Sequence, residues 1–141
     1  MAVLSDAIRE LVSNSPNTTE FMLLSKPINL GADGEIESAL KSWAHAFGHQ
    51  LREGGRRNPF NKLDHDGAKS HIVERLSRDI VFKTKGFELE EAAELAETLL
   101  AFFGEVAAVE ADFAIRDWTF CDLIIATGNE YSFVLASLGE D

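Results

Sequence analysis

All four histidines of this 141-residue chain, His45, His49, His65 and His71, fall within HAFGHQLREGGRRNPFNKLDHDGAKSH, residues 45–71. Imidazole titrates near neutrality and ligates metals as its free base, so such a cluster raises two chemistries, proton transfer and metal binding. His45 and His49 stand four apart, a spacing that lets two imidazoles on a helix reach one ion. Helical geometry, however, sets both opposite Leu40, Trp43 and Phe47, beside Lys41 and Arg52. Cations there raise the cost of binding a dication. Ala46 and Phe47 also follow His45 where an H-E-x-x-H helix carries its glutamate. The pair therefore predicts surface histidines, with no metal centre and no cofactor. His65, flanked by Asp64 and Asp66, is the better candidate for a tuned imidazole, because carboxylates orient the ring and favour its charged form.

A second constellation is basic. His71, Arg75 and Arg78 recur at helical spacing, on a flank away from Ile72, Leu76 and Ile80. The preceding loop adds Gly54, Gly55, Arg56 and Arg57. Glycines that let backbone N–H groups approach a ligand, with forked guanidinium donors, suit a phosphate or carboxylate. Arg56, Arg57, His65, His71, Arg75 and Arg78 thus form a candidate anion site. The string matches neither a Walker loop nor a dinucleotide fingerprint. The plainer reading is a cationic face paired with the protein's own acids.

The third constellation is acidic. Glu90, Glu94 and Glu97 share one side of a predicted helix, and Glu110 and Asp112 share the polar side of a predicted strand. Carboxylate pairs serve as general acid and base only when burial separates their pKa values. On faces this regularly amphipathic they predict an exposed surface. Ser132 and Ser137 sit in a strand pattern, and no G-x-S-x-G occurs, so nothing marks a nucleophile.

Charge divides along the chain in the same way. The total is −11. Residues 41–85 carry ten bases and five acids, a net +5, while residues 86–141 carry thirteen acids and one base, a net −12. An acidic average argues against general nucleic-acid binding, which draws on phosphate neutralisation. It favours a basic protein partner through electrostatic steering. The opposed blocks also allow two copies to meet as a homodimer.

These residues need elements to position them. Leu4, Ile8, Leu11 and Val12 recur at helical spacing behind a Ser5 cap, and Phe21–Leu24 is a short buried strand. Ile36, Leu40, Trp43, Phe47 and Leu51 form a stripe about 80° wide on a second helix, stopped by Gly54-Gly55. A polar loop leads to Asp66, the predicted cap of a third helix, and residues 88–103 form a fourth, closed by Gly104. From Val109 the period changes to two, giving strands at 109–116, 118–127 and 131–138, the last two joined by a two-residue Gly128-Asn129 turn of type I′ or II′. The order is α β α α α β β β. It predicts a single α+β domain over residues 1–141, with about four helices packed on one face of a small, mainly antiparallel sheet that ends in a three-stranded meander.

No apolar run approaches the roughly 20 residues that span a bilayer. MAVLSDAIRELVSNS lacks the basic segment and continuous apolar core of a secretory leader, and the single Cys121 cannot form an intramolecular disulfide. A cytoplasmic location is therefore expected. The profile is that of a small acidic binding module, an inhibitor or immunity-type protein masking a basic partner, with an anion- or nucleotide-binding enzyme on the Arg/His residues of 52–78 as the alternative.

Overall fold

A computed structural model of the chain describes residues 2–15, 17–56, 60–78, 86–115 and 120–139. The element order is α1 (Ala2–Asn14), β1 (Thr18–Leu24), α2 (Asp33–Ala46), β2 (Leu51–Arg56), β3 (Asn61–Leu63), α3 (His65–Ser77), α4 (Leu89–Ala101), β4 (Ala107–Ile115), β5 (Phe120–Thr127) and β6 (Ser132–Gly139). The fold is α+β, with four helices, and β4, β5 and β6 make the antiparallel meander that their period-two patterning predicts. Strand order in the sheet is β1-β6-β5-β4-β2, with β3 also paired to β4. β1, early in the sequence, thus borders β6, with Thr18 opposite Leu138 and Leu24 opposite Ser132.

The helices do not share one face. Leu4, Ala7 and Leu11 of α1, Ala68, Ile72 and Leu76 of α3 and the buried side of α4 pack on Ala108, Ile124, Ala126, Phe133 and Leu135. On the reverse face, Ile36, Leu40 and Trp43 of α2 pack on Val109, Leu123, Ile125, Val134 and Ala136. A sheet covered on both sides needs apolar residues at successive positions. Ser132 to Leu138 are accordingly all buried.

Three local predictions change for identifiable reasons. The second helix stops at Ala46 rather than running through Leu51. Gly48 takes φ 71°, its N–H donates to the His45 carbonyl, and the His49 N–H donates to that of Ala44, a Schellman closure that only glycine enters readily. Phe47 consequently leaves the stripe and is 39% exposed. Leu51–Arg56 is then free to be a strand, and it meets β4 through a register shift that the two glycines tolerate. Asp64, not Asp66, caps α3, accepting from the Gly67 N–H at 2.7 Å. The β5–β6 connection spans four residues, Gly128 to Tyr131, with the Gly128 N–H donating to the Tyr131 carbonyl. Gly128 does not take the positive φ of a primed turn. Its need for glycine is spatial, because a Cβ there would lie 2.2 Å from the Phe103 carbonyl oxygen.

Candidate functional site

α3 lies over the middle of the sheet with Ala68, Ile72 and Leu76 buried against it. His71 and Arg75 occupy the neighbouring i, i+4 row and point toward β4 and β5, not away from the sheet. The register determines what they meet. Ala108 faces the helices, so Glu110, two residues on, faces them as well. On β5, Ala126 and Ile124 lie opposite Ala108 and Glu110, which puts Asp122 on the same side. Glu110 is therefore not on a solvent face, because the side of β4 read as outward is the one covered by three helices.

His71 sits between the two carboxylates. Its Nε2 is hydrogen-bonded to Asp122 Oδ2 at 2.6 Å, and its Nδ1 pairs with Glu110 Oε2 at 2.7 Å. Arg75 Nε donates to the same Asp122 oxygen at 2.9 Å. From β3, Asn61 Nδ2 donates to Glu110 Oε1 at 2.6 Å. The His71 side chain is 8% exposed, that of Asp122 15% and that of Glu110 29%, so the cluster opens on the Glu110 side. Burial alone would raise the Asp122 carboxyl. The hydrogen bond and charge of His71, joined by the charge and hydrogen bond of Arg75, outweigh it and hold the group below its ordinary value. Among the described residues, His71, Glu110 and Asp122 are the group whose donor atoms gather closely enough for a metal ion, all within 4.8 Å of one another.

The candidate anion residues whose side chains are described, His65, His71, Arg75 and Arg78, do not converge. His71 and Arg75 are committed to carboxylates. His65 Nδ1 accepts the Val106 N–H at 3.0 Å, pinning the start of α3 to the entry of β4. That bond needs Nδ1 unprotonated, and Asp64 is occupied as the helix cap. Arg78 ends α3 with an exposed side chain, and its carbonyl accepts from Asn17 Nδ2 at 3.3 Å. Arg57 lies outside the described residues, and Arg56 and Asp112 are placed as backbone alone, in β2 and β4.

Of the other histidines, His45 is exposed on the last turn of α2. His49, predicted beside it on a polar helix face, instead follows the Gly48 turn and reaches β1. Its Nε2 stands 2.7 Å from Glu20 Oε1, an oxygen that also accepts the Trp43 indole N–H at 3.1 Å. The two rings pack at 4.9 Å. Sequence alone gave no signal for this triad, because Glu20 reads as one polar residue in an apolar strand.

The acidic helix lies elsewhere. Glu90, Glu94 and Glu97 are exposed on α4, as predicted. α4 packs beside α1, and between them runs a cleft of about 320 Å³ bordered by Asp6, Glu10, Glu91 and Glu94, with Ala7, Leu95 and Thr98 alongside. Asp6 pairs with Arg9 at 3.3 Å, both largely exposed. Glu10, Glu91 and Glu94 pair with no cation among the described residues. Glu97 faces α3 and meets Lys69 at 3.3 Å. On its other side α4 borders a second cleft, of about 680 Å³, where Val73, Phe87 and a 67% exposed Leu89 supply apolar surface. The α1 carboxylates were absent from the predicted acidic set, because the contact between α1 and α4 is tertiary.

No protein-family model matches the chain, and no curated protein or solved structure matches it either. No helix among the described residues is long and apolar enough to cross a membrane.

Proposed function

We propose that this protein is a binding module that docks a basic protein partner on α4, as an inhibitor or immunity-type protein does when it masks a basic site. The observation that carries this reading is the α1–α4 cleft. Two helices bring Asp6, Glu10, Glu91 and Glu94 together, and among the described residues Glu10, Glu91 and Glu94 have no cation paired with them. Unscreened like charges on adjacent helices cost stability unless a partner neutralises them. The acids would accelerate encounter with a basic partner, while the exposed Leu89 lies on the other side of α4. The competing reading, an anion- or nucleotide-binding enzyme, needs His71 and Arg75 free, and both are engaged by Glu110 and Asp122.

The test is capture followed by kinetics. Immobilised protein and a Glu10→Lys/Glu91→Lys/Glu94→Lys variant are exposed to cell extract at low salt, and the proteins retained are identified and their association measured. The reading expects basic proteins on the parent alone, with association at least about tenfold slower for the variant and a flattened salt dependence. Equal retention and equal on-rates for both proteins would overturn it.

A further inference from the structure

Outside that acidic surface, the grouping of His71, Glu110 and Asp122 has a composition that internal ion pairing alone does not require. We propose that these three side chains bind a divalent transition-metal cation of the zinc class.

The donors come from three elements that the core holds rigidly, α3, β4 and β5. One ligand atom from each lies within 4.8 Å of the other two. Zinc holds nitrogen and oxygen donors at roughly 2.0–2.2 Å, so two donors on one ion are at most about 4.4 Å apart. Because Asp122 and Glu110 meet opposite nitrogens of the ring, one carboxylate must leave its hydrogen bond to His71 and swing toward the ion to close that gap. Imidazole with carboxylate oxygens is a donor set suited to zinc, iron or manganese.

The surroundings resemble an outer shell. Metal-ligating carboxylates are themselves held by hydrogen bonds. Here Asn61 holds Glu110 through Oε1, leaving Oε2 toward His71, and Arg75 holds Asp122. The partly exposed Glu110 side gives an ion and its remaining water a route in. Charge also fits. With the His71 ring neutral, the two carboxylates and Arg75 leave one net negative charge beneath the incoming dication. Ligation uses an unprotonated imidazole nitrogen, as for any histidine ligand.

The experiment uses the full chain, stripped with chelator and exchanged into non-coordinating buffer at about pH 7.5. Zn²⁺ and Mn²⁺ are titrated separately, with stoichiometry read by competition with a chromophoric chelator and stability read by thermal unfolding. The expected result is one saturable equivalent and a rise in Tm that saturates with it. Glu110→Gln and Asp122→Asn should each weaken binding at least about tenfold, and His71→Ala should abolish it, while His45→Ala leaves it unchanged. Cobalt in place of zinc should give visible d–d absorption that Glu110→Gln alters, a readout that does not depend on the fold tolerating His71→Ala. Absence of a saturable equivalent would sink the proposal. So would binding of equal strength in the parent and in both carboxylate variants.

Discussion

His71 Nε2 stands 2.6 Å from Asp122 Oδ2 across 51 residues of sequence, fastening the third helix to the centre of the sheet. Glu110 Oε2 stands 2.7 Å from the other ring nitrogen, so the imidazole bridges two carboxylates. Removing it leaves both acids against a single guanidinium in a largely buried place. His71→Ala should therefore destabilise the protein by about 3 kcal/mol, measured by urea unfolding near neutral pH. A loss below about 0.5 kcal/mol would mean that the cluster is well solvated.

Asp122 also predicts the acid limb of stability. Its carboxyl is held below its ordinary 3.8, so the folded protein binds that proton less readily than the unfolded chain. The contribution is complete above about pH 5 and fades as pH falls through the lowered folded value. Asp122→Asn should be less stable than the parent at pH 6, and the gap should narrow below about pH 4. A gap independent of pH would show that the side chain contributes through packing alone.

The start of α3 separates two neighbouring aspartates. Asp64 accepts the Gly67 N–H, and Asp66 is the second residue of the helix that follows. Asp64→Ala should cost about 1 kcal/mol, within a range of roughly 0.5–2. Asp66→Ala removes only a favourable charge from the first turn, worth about 0.3–1 kcal/mol. Thermal melts of the two variants side by side decide which residue is the cap.

Glycines at two turns should respond differently to alanine. Gly48→Ala forces φ 71° on a residue with a Cβ, at a cost of roughly 1–2 kcal/mol. Gly128→Ala drives a Cβ to 2.2 Å from the backbone oxygen of Phe103, where no side chain can swing aside. Its cost should exceed that of Gly48→Ala, by the margin that overpacking a close backbone contact brings, about 1–3 kcal/mol. Equal losses in the two melts would contradict the contact.

On the opposite face of the sheet, Glu20 should be coupled to both Trp43 and His49. Glu20→Leu leaves the buried indole N–H without its acceptor, a penalty of about 1–3 kcal/mol. A double-mutant cycle with His49→Leu should return a coupling of at least about 0.5 kcal/mol. Additive losses would show that the shared oxygen is not the link.

How far these features can be read from sequence depends on the range of the interaction behind each. Ile36, Leu40 and Trp43 announce α2 through local periodicity, and the strands from Val109 onward announce the meander. Gly48 could have been read as the end of α2, but the apolar spacing of Phe47 and Leu51 carries the helical pattern past it. Alternation in Val109–Arg116 separates two faces without saying which is covered. Both are covered, so alternation points Glu110 to solvent although it faces α3 and pairs with His71. The pairing of His71 with Glu110 and Asp122 leaves no local trace, because only the registers of β3, β4 and β5 bring them together. The same holds for the acids that α1 contributes to the α4 cleft.

The adjacency of β1 and β6 has a consequence for biosynthesis. Thr18 finds its neighbour only when Leu138 exists, so synthesis must reach Leu138 before the sheet can close. Until then Phe21, Met22, Leu23 and Leu24 have no strand partner, and closing so long a loop makes this a slow step in folding. The nascent chain is most open to aggregation in that interval, and a chaperone that shields Phe21–Leu24 would raise the yield of native protein.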